Sequence, residues 1–303
     1  MKKKSRFKLS SSQIILLSFL LAILVGSVLL ALPISSATGE SIAYIDALFT
    51  ATTATCVTGL VTLPTVTTWS IFGQVVILIL IQIGGLGIIT IMSAFMILLH
   101  RKIGISDRLL IQDAFNLNTL SGLIQFVRKV LFGTLLVEGI GALLYMIVFV
   151  PEFGAKGIWI SVFNSISAFC NAGIDIISEN SLCDYATNPM INTVTSLLII
   201  SGGVGYIVWW DIIRIVKDKR RQGLRAVKSL TLHSKISLTT TAILIIGGGI
   251  VFFILEYNNP LTIGSYSLFD KMQVSMFQSI TPSTAGFATV PQQNLTDASS
   301  FVS

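Results

Sequence analysis

Residues 162–173 read Val162-Phe163-Asn164-Ser165-Ile166-Ser167-Ala168-Phe169-Cys170-Asn171-Ala172-Gly173. They close a charge-poor apolar run, 158–169, that is too short to cross a bilayer, and they end on a short word centred on glycine. A run of about 10 to 14 apolar residues is more often a re-entrant or buried helix than a span. The same order occurs twice more. Leu48-Phe49-Thr50-Ala51 closes the run 42–55 and leads to Val57-Thr58-Gly59-Leu60, while Met276-Phe277-Gln278-Ser279 closes 268–280 and leads to Thr284-Ala285-Gly286-Phe287. From Phe to Gly is ten residues in the first two and nine in the third, and the glycines stand 114 and 113 residues apart. A fixed internal period fixes the architecture before any single element does.

Around these short runs lie longer ones. Of 303 residues, 53% are hydrophobic and 11% charged, and mean hydropathy is +0.83, which places the chain in a bilayer. Charge-free stretches at 9–39, 47–100, 185–210 and 236–255 each supply the roughly 20 apolar residues of a span. The first is too long for a cleaved leader and reads as a retained helix behind a basic tail.

Eighteen of the twenty Lys and Arg fall in three clusters, at 2–8, 101–129 and 214–235. By the positive-inside rule all three are cytoplasmic, as is the N-terminus, so between clusters the chain leaves and returns. The formal charge of +6 is therefore a matter of topology and does not point to nucleic acid. The excursions pair helices at 13–32 with 71–99 and 130–150 with 190–213, and a third begins at 236–256. This predicts an all-α multi-pass protein of the cell membrane: parallel repeats of helix, pore helix, filter strand and helix around a central pore. Two repeats are full, 1–100 and 101–213, and 214–303 is part of a third.

Such repeats suit an ion path without any charged side chain. A pore helix that dips inward points its C-terminal partial negative charge at a cation. The strand after it turns carbonyls to the axis in place of the hydration shell. Glycine permits the positive φ and close approach this needs. The expected filter carbonyls are those of Val57, Thr58, Gly59, Asn171, Ala172, Gly173, Thr284, Ala285 and Gly286. Carbonyl rings without carboxylates favour a monovalent cation. No resident cofactor, metal cluster or catalytic group is expected, since Cys56, Cys170 and Cys183 have neither disulfide-framework nor metal-ligand spacing.

Three further readings concern single features. Gly84, Gly85, Gly87, Gly202, Gly203 and Gly205 read as close-packing residues more than hinges. Glu138, mid-span, reads as a hydrogen-bonding group facing protein or water. Asp211 and Arg214 read as a surface pair at i,i+3.

The words Thr58-Gly59-Leu60, Ala168-Phe169-Cys170-Asn171-Ala172-Gly173, Thr281-Pro282-Ser283-Thr284-Ala285-Gly286-Phe287, Gln82-Ile83-Gly84-Gly85-Leu86-Gly87 and Gly202-Gly203-Val204-Gly205-Tyr206 resemble the Ktr and Trk family of potassium-transporting membrane subunits, the KtrB type in particular. The resemblance implies a potassium-channel-like pseudo-tetramer that carries K+, with possible Na+ coupling. It also implies a homodimer working with a cytosolic nucleotide-binding regulatory subunit of the KtrA/TrkA kind. Two departures stand out: Ser283 replaces a frequently basic residue, and a fourth filter is missing. Adding the period to Gly286 places a fourth filter glycine near 399 and a chain end near 430 to 450. A three-filter pore would leave backbone unpaired, so the chain is not expected to conduct alone. The alternatives are a secondary cation transporter, Na+-coupled or Na+-selective, for which inverted repeats would be expected, or a truncated, non-conducting copy.

Overall fold

The computed structural model describes residues 10–98, 122–217 and 228–302, together with 109, 112 and 113. The cluster at 2–8, most of 101–121 and the stretch 218–227 lie outside the described residues. Within them the fold is helical, with one isolated bridge, Ser36 to Trp69, in place of any strand. The chain forms two compact units, one of 1–56 with 68–136, the other of 57–67 with 137–303.

In the first unit α1 (Ser11–Ala31) starts at a reciprocal cap. Ser10 Oγ accepts from Gln13 N at 3.3 Å, and Gln13 Oε1 accepts from Ser10 N at 2.9 Å. It stops because Leu32 precedes Pro33, which drives that residue to extended backbone. Gly26 lets α1 lie on α3 (Ile71–Leu86), since a Cβ there would come within 2.6 Å of Leu80. The short α2 (Tyr44–Cys56) packs on both. The lead-in to α3 is stitched to the loop after α1 by Ala37 N to Thr68 O and Ser70 N to Ser35 O, each 2.9 Å, over a buried Trp69.

The expected helix at 71–99 is two. Gly87 takes φ +79 and ends α3, and α4 (Ile88–Leu98) follows. A residue with a side chain would meet a left-handed penalty there of about 1 to 2 kcal/mol.

The second unit takes in α5 (Leu123–Phe153) from Val137 on, then α6 (Ala155–Phe169), α7 (Pro189–Gly203), α8 (Tyr206–Lys217), α9 (Leu232–Glu256), α10 (Leu268–Thr284) and α11 (Asp297–Val302). α6 packs on α7, α7 on α10, and α10 on α9. Two seams use one device. Ser165 Oγ donates to Glu138 O at 2.6 Å, with Gly141 leaving it room; Ser279 Oγ donates to Ile245 O at 2.9 Å, with Gly248 leaving it room. Ser165 and Ser279 each stand two residues after the Phe of the repeated word. A serine over a glycine lets a short helix approach a long one closely, as small residues do in membranes.

Three helices, Ser12–Ala31, Leu123–Phe153 and Leu232–Glu256, are long and apolar enough to cross a membrane, and α7 with α8 would make a fourth. That pair corrects the reading of 190–213 as one straight helix. At Gly205, φ +87, the chain turns, and α8 runs at 99° to α7. The packing reading holds for Gly202, whose missing Cβ would fall on Phe169 O, whereas Gly87 and Gly205 are points of breakage.

Candidate functional site: three glycine strands beneath one cavity

Each short helix hands its chain to a glycine. After α2, Val57 (φ +56) and Gly59 (φ +75) are both left-handed; after α6, Asn171 (φ +60) and Gly173 (φ +64) are too. In the third strand only Gly286 (φ +95) is, because α10 carries on through Pro282 to Thr284. Thr284 is thus the last helical residue instead of part of an extended strand, which follows from the one-residue-shorter interval between Phe277 and Gly286.

The three glycines meet. A Cβ on Gly59 would stand 2.5 Å from Ala285 O, 3.1 Å from Gly286 Cα and 3.2 Å from Ala172 O; one on Gly173 would collide with Ala285 O; one on Gly286 would stand 3.1 Å from Gly59 Cα. Eight of the nine predicted residues follow the ends of the three short helices and Thr284 closes α10; of the nine, Gly59, Gly173 and Gly286 come together beside the carbonyls of Ala172 and Ala285. The strands touch there, with no ion-wide gap between Gly59 and Gly286 backbone.

Two hydroxyls hold the strands from behind. Ser167 Oγ donates to Ile174 O at 2.5 Å, and Thr281 Oγ1 donates to Phe287 O at 2.7 Å. Each accepting carbonyl belongs to the residue just after the converging glycine, so each bond ties that carbonyl back to the short helix. The polar residues within otherwise apolar short helices are the sequence signal for these clamps. Strand two has a further hold. In the orientation that satisfies its neighbours, the Asn171 amide donates to Ile199 O at 3.0 Å and accepts from Gly203 N at 3.1 Å, gripping the broken end of α7.

Behind strand two lies Glu138, 4% exposed, within α5. Cys170 Sγ donates to its Oε1 at 3.9 Å, and its backbone carbonyl takes the Ser165 bond. It faces protein, as a carboxyl costing about 2.5 to 3.5 kcal/mol at mid-membrane must. Behind strand three, buried Glu256 accepts from Thr262 Oγ1 (2.6 Å), Asn259 Nδ2 (2.7 Å), Thr296 N (2.9 Å) and Thr296 Oγ1 (2.7 Å). It ties the α9–α10 connection to the chain leaving Gly286. Nothing in the local pattern announces it, since its partners lie up to 40 residues away.

Above the glycines is a cavity of about 180 Å³ bordered by Gly59, Gly173 and Gly286 and by two carboxylates, Asp175 and Glu179. Sequence reasoning passed over both acids. Asp175, outside the long helices, has its carboxyl pushed up to about 6 by burial, against the lowering effect of bonds from Ser181, Ile177 and Ser178. Asp175 Oδ1 accepts from Ile177 N at 3.3 Å. The loop it shapes reaches strand three, with Leu182 N donating to Ala288 O at 2.9 Å. Among the described residues no group of His, Cys, Asp and Glu could hold a metal ion.

Long apolar helices, short helices that each end on a glycine-centred word and an acidic cavity over the converging glycines are the features of a membrane protein that handles cations. The chain belongs to the TrkH family of cation transport proteins, whose family model matches residues 2–302. It is 44% identical over 299 residues to the potassium/sodium uptake protein NtpJ of Enterococcus hirae, covering 98% of this chain and 64% of that one. To the Ktr system potassium uptake protein B of Bacillus subtilis it is 42% identical over 276 residues, 91% of this chain and 59% of that one. Its counterpart in Vibrio alginolyticus is 35% identical over 289 residues, 95% and 61%. The chain thus spans about three-fifths of the length of these relatives.

Proposed function

We propose that this chain is an ion-conducting membrane subunit of a potassium uptake system, passing K+ through carbonyls of 57–59, 171–173 and 284–286. The observation that carries the reading is the meeting of Gly59, Gly173 and Gly286 under one cavity, each at the end of a short helix whose C-terminus favours a cation. Clamping by Ser167 and Thr281 supports it, because tying back the Ile174 and Phe287 carbonyls fixes the chain on the far side of Gly173 and Gly286. The repeats are assigned as 1–100, 101–213 and 214–303, with the three basic clusters and the N-terminus cytoplasmic.

Conduction needs the touching strands to part, and a fourth glycine strand between the first and third would hold them apart. The working unit is therefore proposed to include such a strand, a second copy of the chain and, in keeping with relatives named as parts of a Ktr system, a cytosolic nucleotide-binding subunit. A second reading, Na+ carriage or coupling, is favoured by the potassium/sodium name of the E. hirae relative.

Growth rescue of a potassium-uptake-deficient strain, by this chain and by a chain extended to the relatives' length, tests the proposal. Potassium-dependent rescue by the extended chain is expected. Rescue that follows Na+ alone would replace the first reading with the second, and no rescue by any form would reject both.

A further inference from the structure

The helix that follows the right-angle turn at Gly205 is not accounted for by ion conduction. α7 is apolar and packs lengthwise against α6 and α10; α8 leaves it at 99°. With α7 along the membrane normal, α8 lies in the membrane plane. The turn is locked from both sides. Trp209 Nε1 donates to Ser201 O at 2.8 Å across the break. Asp211 accepts from Thr231 N at 2.7 Å and Thr231 Oγ1 at 2.9 Å, which fixes α8 to the N-cap of α9. Here the expected surface pair is corrected: Asp211 is buried, its side chain 4% exposed, while its partner Arg214 is 62% exposed. The pair itself forms as expected: the buried carboxylate takes the Thr231 bonds on Oδ2 and the Arg214 guanidinium on Oδ1, while the rest of the Arg214 side chain lies exposed.

Around the α8 axis the residues divide three ways. Val208, Asp211 and Ile215 face the protein. Ile212 and Val216, one turn apart, form an exposed apolar flank, with Val216 76% exposed. Arg214 and Lys217 project on the other side, and Lys228, across the connection, is exposed as well. An apolar flank beside cations on a helix lying in plane is the pattern of an interfacial helix, with its apolar side at the acyl boundary and its cations at headgroup level. Cations at that depth complement anionic headgroups.

We propose that α8 is an in-plane helix of the leaflet at the basic side of the protein, holding anionic phospholipid through Arg214, Lys217 and Lys228 while Ile212 and Val216 enter the acyl boundary. The proposal rests on reading α7 as running along the membrane normal and adds to it a lipid-binding surface.

The test uses the full chain in phosphatidylcholine nanodiscs, with Cys56 and Cys183 changed to Ser and a bimane label on Val216→Cys. Chains brominated near the headgroup are carried in on phosphatidylglycerol or on phosphatidylcholine. Half-quenching is expected at a mole fraction of brominated phosphatidylglycerol on the order of 25-fold below that for brominated phosphatidylcholine, at about fivefold for each of two cations, and Lys217→Gln with Lys228→Gln removes the difference. Val216, Lys217 and Lys228 are exposed, as is Cys56, while Cys183 is half-buried; the Cys56→Ser, Cys183→Ser background without further substitution is the reference for folding. Equal half-quenching by the two lipids would overturn the proposal. So would a bimane reached by aqueous iodide and shielded only by a cytosolic partner protein, which would make the face a protein interface. A second label on Leu197→Cys, in α7, separates the levels. Quenching there by chains brominated near their ends, with none at 216, overturns the in-plane helix alone, while none at either site overturns the membrane reading with it.

Discussion

The second and third strands reach the same end by different routes. Both are clamped by a hydroxyl of the preceding short helix to the carbonyl just after the glycine. Both short helices seat a serine on a glycine of the long helix before them. Strand two, however, has one residue more, spent on a left-handed Asn171 whose amide grips α7, whereas α10 runs unbroken to Thr284 and turns at Gly286 alone. What the repeats share is the glycine and the clamp, and the approach to them is free to vary. The glycine ought then to be the least replaceable position, the clamp next, and features belonging to one strand the most tolerant.

The largest effect is expected at the glycines. Gly173→Ser places a Cβ on Ala285 O and forces a left-handed non-glycine, at about 1 to 2 kcal/mol for the backbone alone. Potassium flux and preference over sodium, measured in proteoliposomes of the extended chain, should fall together by on the order of tenfold or more. Unchanged preference would break the view that the glycine is the common element.

Next come the clamps. Ser167→Ala and Thr281→Val each remove one hydroxyl bond, worth about 0.5 to 1.5 kcal/mol, and free the Ile174 or Phe287 carbonyl to rotate. Selectivity should drop several-fold and by similar amounts in the two variants, read as the ratio of rubidium to sodium flux. Unequal losses would mean that the strands are not equivalent in function and would sharpen the comparison toward strand two.

A smaller effect is expected behind strand two. The carbonyls of Glu138 and Ile245 take equivalent serine bonds, yet one side chain is a carboxyl near Cys170 and the other is apolar. Glu138→Gln keeps an oxygen for the Cys170 thiol, so flux should change by less than about twofold. Glu138→Ile should cost more stability than flux, visible as a lower unfolding temperature in detergent, since it strands the partners of a buried carboxyl.

Much of this was legible in the chain and some was not. The short helices appear at Tyr44–Cys56, Ala155–Phe169 and Leu268–Thr284 against expected runs of 42–55, 158–169 and 268–280, because an apolar run ending in a polar, glycine-centred word has few places to go. The break at Gly205 was hidden. The chain is free of charge from Ile199 to Trp210, and composition carries no direction, so the signal was the change to an amphipathic order after Tyr206. Asp211 misled for a related reason. Its spacing to Arg214 is a local fact, while its burial depends on Thr231, twenty residues on. Asp175 and Glu179 were overlooked because attention stopped at the carbonyls, although both follow Gly173 within six residues.

Asp175 gives the smallest and most discriminating prediction. Two residues beyond its glycine, strand two carries this carboxyl where strand one has Val61 and strand three has Ala288. With its carboxyl raised to about 6 by burial, the group is charged at pH 7 and mostly neutral at pH 5. A charge at the cavity mouth draws cations, so potassium uptake at sub-saturating concentration should rise about twofold between pH 5 and 7, less so at high salt. The nearby Cys183 thiol, pushed up to about 11 chiefly by burial, does not change charge over that window. Stability runs the other way. Because the folded value lies above the unfolded 3.8, ionisation opposes folding, so this group's contribution declines as pH rises from about 4 through about 6. Asp175→Asn should therefore flatten both profiles at once, holding uptake near its pH 5 level and removing the fall in unfolding temperature. If uptake flattens while the thermal profile keeps its slope, the charge acts at the mouth and another group titrates with folding. If neither changes, Asp175 plays no part in what distinguishes the second strand from the third.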